Sequence, residues 1–168
     1  MSGLSPRGRV TFVATAEAHD DDMAARIARH QAERPPHWAT VEVPCDLVPG
    51  LTAALAGADT VIVDCLTLWV SNLLRRGDGD DTILKQAEAL AALVAAPSAA
   101  VRLVSNEVGL GVHPATAEGL RFRDVLGLVN QRVASSAQRV VLMVAGLPHL
   151  IKDTPRGSAF GEPAHEAS

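Results

Sequence analysis

The sequence predicts an α/β protein, a three-layer parallel sheet with helices on both sides, and three observations point there. Short β-rich runs occur at Arg9–Thr15 (RVTFVAT), Thr60–Cys65 (TVIVDC), Val101–Ser105 (VRLVS) and Arg139–Gly146 (RVVLMVAG). Most are continuously apolar rather than alternating, as strands buried on both faces should be. Stretches of helical period separate them, and alternation of strand and helix favours a parallel sheet. The length of 168 residues suits one domain, since a chain of that size buries roughly 70% of its unfolded surface. That domain is expected over residues 1–152. The tail Asp153–Ser168, rich in Gly, Pro and polar residues, reads as disordered.

Taken in order, the first run leads into a helix over Asp20–Glu33. Asp20, Asp21 and Asp22 favour its positive N-terminal end. Pro35-Pro36 forces a stop near Arg34. Further helices are expected at Asp46–Ala56, Thr67–Arg75, Asp81–Ala95 and Ala117–Ser136. In such a sheet, ligands sit beyond the carboxyl ends of the strands. This rule selects Thr15-Ala16-Glu17, Asp64-Cys65, Ser105-Asn106-Glu107 with its loop to Pro114, and Gly146-Leu147-Pro148. Taken singly, each polar residue here reads equally well as a cap for the next helix.

Composition removes several function classes. The chain is 48% hydrophobic and 20% charged, which is not the composition of a disordered protein. No apolar run approaches the ~18 residues of a membrane span, and residues 1–15 do not read as a signal peptide. Cys45 and Cys65 form neither a disulfide scaffold nor a metal-ligand spacing. A net charge of -4, with 3% aromatics and no Tyr, argues against nucleic acid as a partner. A soluble cytoplasmic protein is the expectation.

Two residues carry the chemical argument. Met23, Ile27, His30 and Arg34 share one stripe of the first helix, beside Arg26, Arg29 and Glu33. His30 is either a half-buried, hydrogen-bonded histidine or a nucleophile beside guanidinium groups that hold phosphate oxygens. Asp64 ends an apolar strand, where a carboxylate either holds Mg²⁺ through water or caps the next helix. Gly109 and Gly111 permit tight turns, a weak signal alone, and His113 reads as a surface residue. The sequence contains no GxxxxGKS or GxxxxGKT, no GxSxG, no HExxH and no dinucleotide GxGxxG.

The segments VATAEAHDDDMAARIARHQAERPPHW, TVE, VDCLTLWVSNLL, SNEVGLGVHP, FRDVLGLVNQRVA and VVLMVAGLPHLIK follow one another in unbroken order. Together they resemble the bifunctional adenosylcobinamide kinase / adenosylcobinamide-phosphate guanylyltransferase family of cobalamin biosynthesis, from about Arg9 to Lys152. The resemblance implies a fold related to P-loop kinases and RecA-like proteins. It also implies phosphorylation of a corrinoid hydroxyl and transfer of GMP from GTP through a histidine–GMP intermediate. His30 matches the family's histidine; some relatives carry two adjacent histidines there, whereas here Arg29 precedes it. The family's nucleotide contacts map to Thr15, Ala16 and Glu17, to Gln31, Ala32, Glu33 and Arg34, and to Glu42 and Asp64, with Asp64 as the Mg²⁺ residue. GTP or ATP is the implied phosphate donor, and a homo-oligomer, often a trimer, is the implied assembly.

Family members open with a strand and a GGARSGKS-like P-loop, where this chain reads MSGLSPRGRV. The resemblance therefore reads the chain as N-terminally truncated, with impaired kinase activity. The lost strand would be an interior one, leaving unpaired edges or an empty slot. The alternative is a non-catalytic nucleotide-binding or oligomer-forming paralogue without a P-loop; an unrelated small α/β phosphotransferase is the third reading.

Overall fold

The computed structural model describes residues 8–154. Its centre is a four-stranded parallel sheet in the order β2-β1-β3-β4, built from β1 (Val10–Ala14), β2 (Ala39–Glu42), β3 (Thr60–Asp64) and β4 (Ala100–Val104). The helices are α1 (Asp21–Ala32), α2 (Leu47–Gly57), α3 (Leu66–Arg76), α4 (Asp80–Ala95) and α5 (Ala117–Ser136). These agree with the expected spans to within one or two residues at each end, the usual uncertainty of helix termini.

The register aligns Val13 with Val63 and Thr11 with Val61, so these side chains share one face of the sheet. Val13, Val61 and Val63 are fully buried there. Against this face pack Leu47, Leu51 and Leu55 of α2, Leu66, Trp69, Val70 and Leu73 of α3, Ile83, Ala87 and Leu90 of α4, and Val125, Leu126 and Val129 of α5. The opposite face carries Phe12, Ala14 and Asp64. The helix α1 is only lightly packed, with Met23 and Ile27 half-buried. No residue of α1 is buried, although Asp20 caps it by accepting a hydrogen bond from Met23 N. Helices thus lie on both sides of the sheet, but in very unequal contact.

Three expectations are corrected. Arg139–Gly146 does not join the parallel sheet. Its strand β5 (Arg139–Val144) forms a separate antiparallel hairpin with β6 (Leu147–Asp153). The turn Ala145-Gly146 has positive φ at both residues (51° and 76°), which is the two-residue reversal that matches strand twist. Gly146-Leu147-Pro148 is therefore a hairpin tip and strand, not a ligand loop at a sheet end. An apolar run alone does not say whether its partner is parallel or antiparallel. Secondly, Asp153 is ordered rather than tail, since Arg139 holds its carboxylate at 2.8 Å and Thr154 N donates to Gln138 O. The rest of the expected tail lies outside the described residues. Thirdly, of the two outcomes expected for a lost strand the sheet shows no empty slot, since β1 and β3 are each bonded on both sides, while β2 and β4 are its unpaired edges.

Candidate functional site

β2 escaped the periodicity reading because all its residues are exposed, so it shows no apolar signal. Its position at the sheet edge nevertheless builds the site. Glu42, Ala14 and Asp64 stand side by side in register at the carboxyl ends of β2, β1 and β3. With strands about 4.8 Å apart, the two acidic residues are about 10 Å apart at the backbone. Ala14 between them adds only a methyl group.

Arg34 lies over this row. Its guanidinium sits 3.7 Å above the centroid of Phe12, and Trp38 stacks on the same ring at 6.4 Å between centroids. Phe12 is two residues before Ala14 on the same face, so the stack sets Arg34 beside the row of carboxylates. Arg34 Nη1 donates to Thr40 Oγ1 at 3.4 Å, whereas Nε is buried with no partner among the described residues. Burial lowers the Arg34 pKa, and the charges of Asp64 and, less, Glu42 act the other way. Guanidinium remains charged in any case. An orphaned buried donor beside two carboxylates is uncommon in a native protein and asks for an explanation.

The last turn of α1 closes the same corner. Gln31 Nε2 donates to Glu42 Oε1 at 3.4 Å. His30 precedes Gln31, is exposed, and makes no hydrogen bond among the described residues. This differs from the half-buried, bonded histidine that was the plainer reading. Met23 and Ile27 of its stripe are half-buried, so the amphipathic pattern was real while the helix end projects into solvent. Glu33 caps the helix through its backbone N–H, and Ala32 is exposed. Ala16 and Glu17 are half-buried, with Glu17 3.4 Å from His19. Thr15 is wholly buried, and its hydroxyl bridges the backbone of Cys65.

The loop after β4 forms a second polar group. Ser105 Oγ lies 2.6 Å from Asn130 Oδ1, Asn130 Nδ2 donates to Asn106 O, and Asn106 N donates to Thr67 Oγ1. Sequence reasoning missed Thr67, Asn72 and Asn130. Asn72 could have been found, because it is a polar residue on the apolar side of α3 beside Trp69 and Leu73. His113 is exposed as expected and contacts Arg123 at 3.0 Å. A shallow groove lined by Glu88, Ala91, Arg132 and Ser135 lies between α4 and α5, away from the strand ends.

Residues 4–151 match the family described as cobinamide kinase / cobinamide phosphate guanyltransferase. The chain belongs to this family. It is 40% identical over 154 residues to the bifunctional adenosylcobalamin biosynthesis protein CobP of Pseudomonas aeruginosa, covering 92% of this chain and 86% of that protein. It is 38% identical over 156 residues to CobU of Salmonella typhimurium, covering 86% of each chain. With CobU of Escherichia coli it shares 36% identity over 161 residues, 89% of each. Both CobU proteins carry the same description, bifunctional adenosylcobalamin biosynthesis protein. The match takes in the row of Glu42, Ala14 and Asp64 along with most of the rest of the chain.

Proposed function

We propose that this protein is a bifunctional adenosylcobinamide kinase and adenosylcobinamide-phosphate guanylyltransferase, and that the corner formed by α1, β1, β2 and β3 handles GTP. The observation that carries the guanylyl-transfer reading is His30: exposed, unbonded among the described residues, and one residue before Gln31, which reaches Glu42. An imidazole nitrogen so placed attacks the α-phosphorus of GTP. The bond to the bridging oxygen breaks, pyrophosphate leaves, and GMP remains on the ring. A phosphate oxygen of the corrinoid phosphate then attacks the same phosphorus, and the P–N bond breaks to free His30.

Arg34 fits anion binding, because its planar fork is pre-oriented by the Phe12 stack and its Nε lacks a partner. Ala16, Glu17, Gln31, Ala32, Glu33 and Glu42 surround it as nucleotide contacts; Thr15 is buried beneath them. Asp64 suits Mg²⁺, an ion that keeps most of its waters and takes one or two carboxylates plus substrate phosphates. The described residues hold no cluster of three or more potential metal ligands. Bound there, Mg²⁺ would neutralise phosphate charge.

The kinase half has less support from these residues. The contacts proposed above concern guanylyl transfer, and among the described residues they include no loop and lysine for the β- and γ-phosphates. We also read the protein as a cytoplasmic homo-oligomer. Among the described residues no helix is long and apolar enough to cross a membrane. Val141, Met143, Val144, Leu147, Leu150 and Ile151 of the hairpin are exposed, an apolar patch of the kind that contacts between subunits cover.

Incubation with GTP labelled at the α-phosphate tests the central claim. An acid-labile, base-stable adduct is expected, and His30→Ala should abolish it. Persistence of the adduct in that variant would remove His30 from the mechanism, and GTP binding with no adduct would favour the paralogue that binds nucleotide without catalysis.

A further inference from the structure

Beneath the site lies a buried polar network that none of the proposed contacts uses. Asn72 is 5% exposed and Thr15 is 0% exposed. The Asn72 side-chain amide donates to Thr15 O at 2.7 Å and to Pro44 O at 3.0 Å. The Thr15 hydroxyl donates to Cys65 O at 2.7 Å and accepts from Cys65 N at 2.8 Å, while Thr15 N donates to Asp64 O. Trp69, one turn before Asn72 on α3, donates its indole N–H to Cys45 O at 2.7 Å.

Each member of the site row is followed within two residues by an anchor of this network. Ala14 is followed by Thr15, Glu42 by Pro44, and Asp64 by Cys65. Backbone bonds from Val43 N to Ala14 O and from Thr15 N to Asp64 O still tie the strands just past the row, and beyond them the segments part. The paths of Ala16-Glu17, Pro44-Cys45 and Cys65, which lead away from Glu42 and Asp64, then depend on the side chains of Thr15 and Asn72. Both donors of the Asn72 amide are used on carbonyl oxygens. A carboxylate cannot replace it there, because it would place acceptors against acceptors.

We propose that Asn72 and Thr15 are positioning residues for guanylyl transfer, holding the strand ends so that Glu42, Asp64 and the Ala16-Glu17 segment meet one GTP molecule. This rests on the reading of that corner as the GTP site. It assigns Thr15 a role through the backbone rather than as a ligand contact, since its hydroxyl and both of its backbone polar groups are engaged within the protein.

The test compares Asn72→Leu, Asn72→Asp, Thr15→Val and Thr15→Ser with Leu90→Ala, a core truncation on α4 remote from the network. Two readouts are taken on each full-length chain: amide hydrogen exchange by segment, and the GTP dependence of adduct formation. In Asn72→Leu, Asn72→Asp and Thr15→Val, exchange should quicken selectively over residues 15–19 and 43–46. The GTP concentration for half-maximal labelling should rise at least about tenfold, with the final extent of labelling unchanged to within about twofold. Thr15→Ser keeps the hydroxyl and should behave as the parent protein. Leu90→Ala should quicken exchange across α4 and the sheet without moving the GTP dependence.

The proposal is overturned if the Asn72 and Thr15→Val variants show the same global pattern as Leu90→Ala, or leave the GTP dependence unmoved. It is overturned equally if Thr15→Ser fails to restore parent behaviour. Should Asn72→Leu fail to fold, the Thr15→Val and Thr15→Ser pair decides. Absence of any adduct in the parent chain would count against the GTP reading itself. Titration with GTP and Mg²⁺ then replaces labelling, and selective exchange together with weakened binding still supports positioning, whereas unchanged binding refutes it.

Discussion

The two faces of the central sheet differ in what they do. One is sealed by four helices and holds fully buried Val13, Val61, Val63, Leu51, Trp69 and Leu126. The other meets α1, which buries no residue, and displays Phe12, Ala14, Glu42, Asp64 and Arg34. Each large side chain removed from water on the first face stabilises by roughly 1.5–3 kcal/mol. The second face gains less of that kind, chiefly from Val10, Phe12 and Ala14, and its polar groups keep their freedom to meet a ligand. The comparison teaches that stability and chemistry occupy opposite sides of the same strands. Residues one apart in β1, such as Val13 and Ala14, serve different purposes because alternate side chains point to opposite faces.

Substitutions should separate these roles cleanly in stability measurements. The largest loss is expected from Trp69→Ala, about 3–5 kcal/mol in denaturant titration, because it empties a fully buried volume and leaves Cys45 O without its indole donor. Phe12→Ala tests the boundary between the faces. Phe12 is 9% exposed beneath Arg34 and Trp38, so a loss of about 3 kcal/mol is expected, together with weaker GTP binding as Arg34 loses its support. A loss of stability with GTP affinity unchanged would detach Arg34 from the site.

Smaller effects follow on either side. Asp64→Asn should change stability by less than about 1 kcal/mol while the Mg²⁺ requirement for labelling rises steeply; the reverse pattern would mean that Asp64 is structural. Acid should act through the helix-covered side. Arg76 holds the Asp78 carboxylate at 2.7 Å, with Gln86 assisting, and keeps its pKa below the ordinary aspartate range. A depressed folded pKa means that this contribution is present above the unfolded pKa and is lost as pH falls through the folded one. Melts of the parent protein and Asp78→Asn should therefore differ at neutral pH and converge as pH falls below about 4. The smallest stability effect is expected for His30→Ala, within about 0.5 kcal/mol, because the ring is exposed and unbonded among the described residues. Thermal denaturation of that variant, beside its lost labelling, is the sharpest contrast between the two faces.

Much of this was legible before any coordinates. Apolar runs announced β1, β3 and β4, and helical periods with acidic starts announced α1 and α4. The rule that ligands gather at strand carboxyl ends selected Thr15-Ala16-Glu17 and Asp64. The helical stripe singled out His30, and resemblance brought in Gln31 to Arg34 and Glu42 as nucleotide contacts. β2 was illegible because an exposed edge strand carries no burial pattern, and β5 was assigned to the wrong sheet because Val-rich runs serve either kind of pairing.

Local pattern by itself determined most element types, the α/β class and the candidate strand ends, because helix and strand periods are written in the order of apolar residues. Tertiary structure alone decided which strands are neighbours, that Arg139–Asp153 folds back as a hairpin, and that Arg34 rests on Phe12 above a row of Glu42, Ala14 and Asp64. It alone decided that Asn72 reaches Thr15, 57 positions away. Contacts between residues so distant in sequence depend on how the layers close, and no short-range pattern encodes that distance.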